Sequence, residues 1–115
     1  MDSSVRAYGI VRGDMSGELV AAHVDALRRL ATELGFDLRA IRVDGCGDAD
    51  FGVLLATLRP SLISVLLVPS ILHVTGWLDA IRQDTTVWSL DPRGHWPRLT
   101  RHRAAAEFVP VAGSL

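Results

Sequence analysis

The sequence predicts an α/β domain built on an open, mainly parallel sheet of four to five strands with helices on both faces. Three observations predict it. Strand-like and helix-like segments alternate as β-α-β-α-β-α-β over about ninety residues, the order of a parallel sheet with crossover helices. LISVLLVP, residues 62–69, is apolar without alternation, as in a central strand buried on both sides. Val20, Val24, Leu27, Leu30, Ala31 and Leu34 recur at the spacing of a 3.6-residue helix.

The elements follow in order. Val5–Val11 is apolar and β-branched around Tyr8 and reads as the first strand, ended by Gly13. Ser16 is placed to cap the first long helix, with Arg28, Arg29 and Glu33 on its outer side and Gly35 at its end. LRAIRVD, residues 38–44, alternates apolar residues with arginine, as in a strand with one face partly open. DGCGDADFG, residues 44–52, is a glycine- and aspartate-rich loop, and a short helix near Phe51–Leu58 ends before Pro60. After the strand at 62–69, SILHVTGWLDAIRQD, residues 70–84, reads as one helix weakened at Gly76. TTVWSL, residues 85–90, is the fourth strand, stopped by Asp91 and Pro92.

Residues 1–92 therefore form the domain, and residues 93–115 are a basic extension, partly packed or flexible, with an extra strand or short helix as its packed part. Its end, VPVAGSL, is expected to fray unless it pairs with a partner.

Composition narrows the class. The 115 residues carry a formal charge of −1 with 49% hydrophobic and 22% charged residues, so bulk charge favours neither nucleic acid nor membrane. All twelve basic residues are arginine, which fits codon bias better than an arginine-lined phosphate site. Cys46 is the single cysteine, which leaves no internal disulfide and no cysteine zinc site, and points to the cytoplasm. The opening residues lack the apolar core of a signal peptide, and no apolar run reaches the length of a membrane span.

In a parallel sheet, ligands sit beyond the carboxyl ends of the strands. That rule gathers Arg12–Ser16, Asp44–Asp50, Pro69–His73 and Asp91–Arg93 on one edge. No glycine-rich dinucleotide turn is present, and without lysine there is no standard P-loop, so no cofactor is expected. The four histidines lack metal-ligand spacing, and RGD at residues 12–14 is read as chance. Asp44, Asp48 and Asp50 are read as a solvated loop rather than a cation site, because no ligating glutamate follows. Ser16 is read as a cap before a nucleophile, and His73 as a surface or packing residue before a base.

One resemblance joins these pieces. AYGIVRGDMSGELVAAHVDALRRLATELGFDLRAIRVD resembles the opening of the serine recombinase (resolvase/invertase) catalytic domain, with its strand Y-x-R-V-S, a helix and a second strand ending in aspartate. DFGVLLATL resembles the family's middle helix start, and VLLVPSILHVTGW its third strand and L-D-R-L-x-R motif, so the similarity spans roughly residues 6–90. It implies a resolvase-like, flavodoxin-like three-layer fold. It also implies lost chemistry. Arg12 stands in the place of the family's first arginine, but the nucleophilic serine corresponds to Asp14, and the later catalytic positions are Asp50, His73, Val74 and Trp77. Phosphoryl transfer depends on positioned cations around the developing charge, and an aspartate in place of an arginine repels where attraction is needed.

The expectation is thus a domain inactive in recombination. It acts as a protein-interaction module, self-association included, with Trp77, Trp88 and Trp96 as contact or core residues. Two alternatives stand beside it. One is a DNA-associated accessory factor that grips phosphates through Arg93, Arg98, Arg101 and Arg103. The other is a small anionic-ligand domain or enzyme, with Arg12 and Ser16 as anion-binding residues and Ser16 as a displaced nucleophile.

Overall fold

The computed structural model describes residues 5–44, 63–74, 76–99 and 108–110. Six strands form one sheet: β1 (Arg6–Arg12), β2 (Asp37–Asp44), β3 (Val65–Val68), β4 (Thr86–Leu90), β5 (Arg93–Trp96) and β6 (Val109–Pro110). Their spatial order is β2-β1-β3-β4-β5-β6. β1 pairs in parallel with β2 and β3, and β3 with β4, whereas β5 runs antiparallel to β4 and β6 to β5. The domain is α/β as expected, but the sheet is mixed and has six strands rather than being mainly parallel with four to five. The reason is local: only Asp91 and Pro92 separate β4 from β5, and a two-residue connection can join only antiparallel neighbours.

Side-chain alternation builds a core on each side of the sheet. On one side, Ala7 and Val11 of β1 and Val65 and Leu67 of β3 pack with Leu27, Leu30 and Ala31 of the helix α2 (Val20–Leu34). On the other, Ile10, Leu66, Val68 and Val87 pack with Val74 and Ile81. All four residues of β3 are buried, which is why its sequence shows no polar alternation. The α2 pattern holds: Leu27, Leu30 and Ala31 face inwards, with Val20, Val24 and Leu34 at the margins. Gly35 ends the helix at φ 73°, its N–H donating to Thr32 O and that of Phe36 to Ala31 O. This is a complete Schellman closure, open to glycine because it has no Cβ to clash.

Two expectations need correction here. A short helix, α1 (Gly13–Ser16), and a 3-10 turn (Gly17–Leu19) precede α2, whose N-cap is Leu19 without a side-chain cap bond. Ser16 lies a turn too early to cap it. Residues 70–84 are not one helix either. A 3-10 turn (Ile71–Val74) is followed by α3 (Leu78–Arg82), and Gly76 between them has φ 86°, outside helical space.

The described part of the 93–115 extension is tied to the sheet. Besides β5 and β6, Leu99 N–H donates to Arg82 O, and Arg82 Nε donates to Pro97 O at 2.8 Å. Val109 and Pro110 pair with β5 of the same chain. The tryptophans serve the cores: Trp77 and Trp96 pack on one side, and Trp88 on the other, its ring 4.6 Å from His95 and 6.2 Å from Phe36. The loop with Cys46, Asp48 and Asp50, the helix expected near Phe51–Leu58, Arg101 and Arg103 lie outside the described residues.

Candidate functional site

The carboxyl ends of β1, β3 and β4 meet at one edge. The backbone N–H groups of Leu90 and Asp91 both donate to Pro69 O, which joins the end of β4 to the end of β3. The Arg12 N–H donates to Nδ1 of His73 at 3.0 Å, which joins the end of β1 to the 3-10 turn. Between them lies a cavity of about 410 Å³ lined by Met15, His23, Pro69, Ser70, Leu72, His73 and Asp91. Three of the four expected loops therefore reach one site. The fourth contributes Asp44 to the described residues, the last of β2 and in register with Arg12.

Arg12 does not present its guanidinium to this edge freely. Its Nη2 and Nε bond Asp14 Oδ2 at 2.7 Å and Oδ1 at 3.2 Å, a bidentate clamp. The Arg12 side chain is 17% exposed and that of Asp14 49%. The hydrogen bond from Arg12 holds the Asp14 carboxyl below its ordinary value of 3.8.

Ser16 is buried, and its Oγ shares a 2.7 Å hydrogen bond with Nδ1 of His23. The His23 ring meets the His73 ring edge to face, with centroids 6.3 Å apart. Burial first, and then electrostatic repulsion from the His23 and Arg12 side, pushes the His73 imidazole below 6.5. A backbone N–H can only donate, so Nδ1 of His73 is an acceptor and the ring proton sits on Nε2. That tautomer makes His73 a neutral hydrogen-bond donor and disqualifies Nε2 as a metal ligand. Among the described residues no group of three or more His, Cys, Asp or Glu is arranged to hold a metal ion.

Of the positions that the recombinase resemblance marks as formerly catalytic, Arg12, Asp14 and His73 come together here. Val74 is fully buried in the core and Trp77 packs against it, so neither reaches the edge; Asp50 lies outside the described residues. The two anion-binding candidates, Arg12 and Ser16, are engaged by Asp14 and His23. Of the nucleic-acid candidates, Arg93 is ion-paired with Glu33. Arg98 is exposed, with its backbone N–H on Thr86 Oγ1.

His23 is a site residue outside the loops expected at this edge, whereas Ser70, Leu72 and Asp91 lie within those loops without having been given individual roles. One signal for His23 existed: a single helix starting at Ser16 would put His23 two turns along the same face, although in the structure Ser16 belongs to α1 and His23 to α2. No described helix is long and apolar enough to cross a membrane. Comparison of the chain with protein families, with characterised proteins and with solved structures finds no match.

Proposed function

We propose that this chain is a resolvase-like binding domain without recombinase chemistry, and that a protein, in the first instance a second copy of itself, docks at the carboxyl edge of β1, β3 and β4. The observation that carries the loss of chemistry is the clamp of Asp14 on Arg12. The arginine that would steady a phosphoryl group is neutralised by the side chain standing where the nucleophile would be. His73, a neutral donor, offers no cation in compensation. The parallel order β2-β1-β3-β4 with a core on each face supports the resolvase-like, three-layer reading, and the single cysteine supports a reducing, cytoplasmic setting.

A protein partner is favoured by the rim. Met15 is 44% and Leu72 62% exposed, two large apolar side chains flanking one cavity, and apolar surface of that kind marks interaction sites. The DNA-accessory reading is weakened because Arg93 is already paired with Glu33. Light scattering over a concentration series tests the proposal. The mass should rise from one chain towards two, and Leu72→Asp should return it to one. A mass of one chain at every concentration would contradict self-association.

A further inference from the structure

The cavity at the strand carboxyl edge carries a second reading, independent of the docked protein. Its walls combine three kinds of group. His73 supplies a ring nitrogen fixed as a donor, because Nδ1 is held by the Arg12 N–H. The His73 ring lines the cavity. Asp91, exposed at the end of β4, supplies a carboxylate that can only accept. Met15, Pro69 and Leu72 supply apolar surface. Ser70 adds a hydroxyl whose oxygen already accepts the Leu72 N–H, leaving its proton to donate.

This chemistry disfavours a free anion. The Arg12 guanidinium at this edge is held by Asp14, and Asp91 places a carboxylate on the cavity wall. A metal ion is disfavoured at His73 by the ring's tautomer. What matches is an uncharged planar ligand with an amino group for Asp91, a ring acceptor for His73 or Ser70 and an apolar face for Met15 and Leu72. At about 410 Å³ the cavity falls within the range of small-molecule sites. We propose that the cavity between Met15, His73 and Asp91 binds an amino-substituted heteroaromatic ring of the nucleoside type, and not phosphate. His23, held through Ser16, also lines it.

The test is calorimetric titration of the full chain with adenosine, cytidine, purine riboside (the adenosine rings without the amino group) and inorganic phosphate. Adenosine or cytidine should bind, and purine riboside should bind about tenfold more weakly than adenosine, the effect of one lost hydrogen bond to a charged acceptor. Asp91→Asn, at an exposed turn residue, should narrow that difference to less than about threefold. Binding by neither adenosine nor cytidine would overturn the inference. So would equal binding of adenosine and purine riboside, or heat of binding with phosphate alone. A protein that binds adenosine yet stays at one chain's mass would retain this inference and lose the docking proposal.

Discussion

The two faces of the sheet are built from helical sequence of similar quality and end as different structures. On one face, α2 runs unbroken from Val20 to Leu34 and closes at Gly35. On the other, the apolar residues Ile71, Val74, Leu78 and Ile81 keep helical spacing, yet the backbone breaks at Gly76 into a 3-10 turn and a five-residue helix. Both faces bury their apolar residues. The difference is where the polar groups go: the regular helix sends Arg28, Arg29 and Glu33 outwards, while the broken segment turns His73 inwards against the end of β1. Regular structure supplies the scaffold, and the interruption delivers the side chain that defines the edge.

Core truncation should break this comparison most strongly, because both faces depend on burial. Leu30→Ala on the α2 face and Ile81→Ala on the α3 face remove fully buried side chains. Each should lower stability by about 2–5 kcal/mol in urea titration. A loss confined to one face would show that only that face folds cooperatively with the sheet.

The two glycines come next. Gly35→Ala and Gly76→Ala place a Cβ at φ 73° and 86° respectively, with open space around each. The cost is therefore backbone strain, about 1–2 kcal/mol each. If Gly76→Ala instead stabilises the fold, the break at 76 is not fixed by that conformation.

Acid should weaken the fold through one histidine from each side of the sheet. His73 and His95 both have pKa values lowered by burial from 6.5, whereas the unfolded chain takes up their protons near 6.5. Between 6.5 and the lowered folded values the unfolded state binds more protons, so stability is full above 6.5 and declines as pH falls through that window. Each group contributes a slope of no more than about 1.4 kcal/mol per pH unit. His73→Gln, which keeps an acceptor for the Arg12 N–H, should flatten the profile of melting temperature between pH 7 and 5. The smallest effect belongs to the surface pair: Glu33→Gln should change stability by no more than about 1 kcal/mol, since that carboxylate is half exposed.

What the sequence made legible follows the same division. β2 and α2 were readable from an unbroken period, and β1, β3 and β4 from continuous apolar or β-branched runs. The break at Gly76 was not, because the apolar spacing continues across it, and only the backbone angle records the interruption. β5 was anticipated only as an extra strand or short helix within 93–115, because RGHW has neither a strand period nor an apolar face and its place is set by the two-residue turn before it. At the site, the strand-end rule brought Arg12, Asp14, Ser16 and His73 to one edge. The pairings that decide their chemistry, Asp14 on Arg12 and His23 on Ser16, depend on side-chain approach that spacing alone does not fix.

The central claim, that Asp14 has closed this edge to phosphate, is tested most directly by fluorescence anisotropy with a labelled random DNA duplex at low and then moderate salt. The account predicts no binding at either salt for the wild-type chain. Tight binding that weakens steeply with salt and is lost in Arg12→Ala would contradict it.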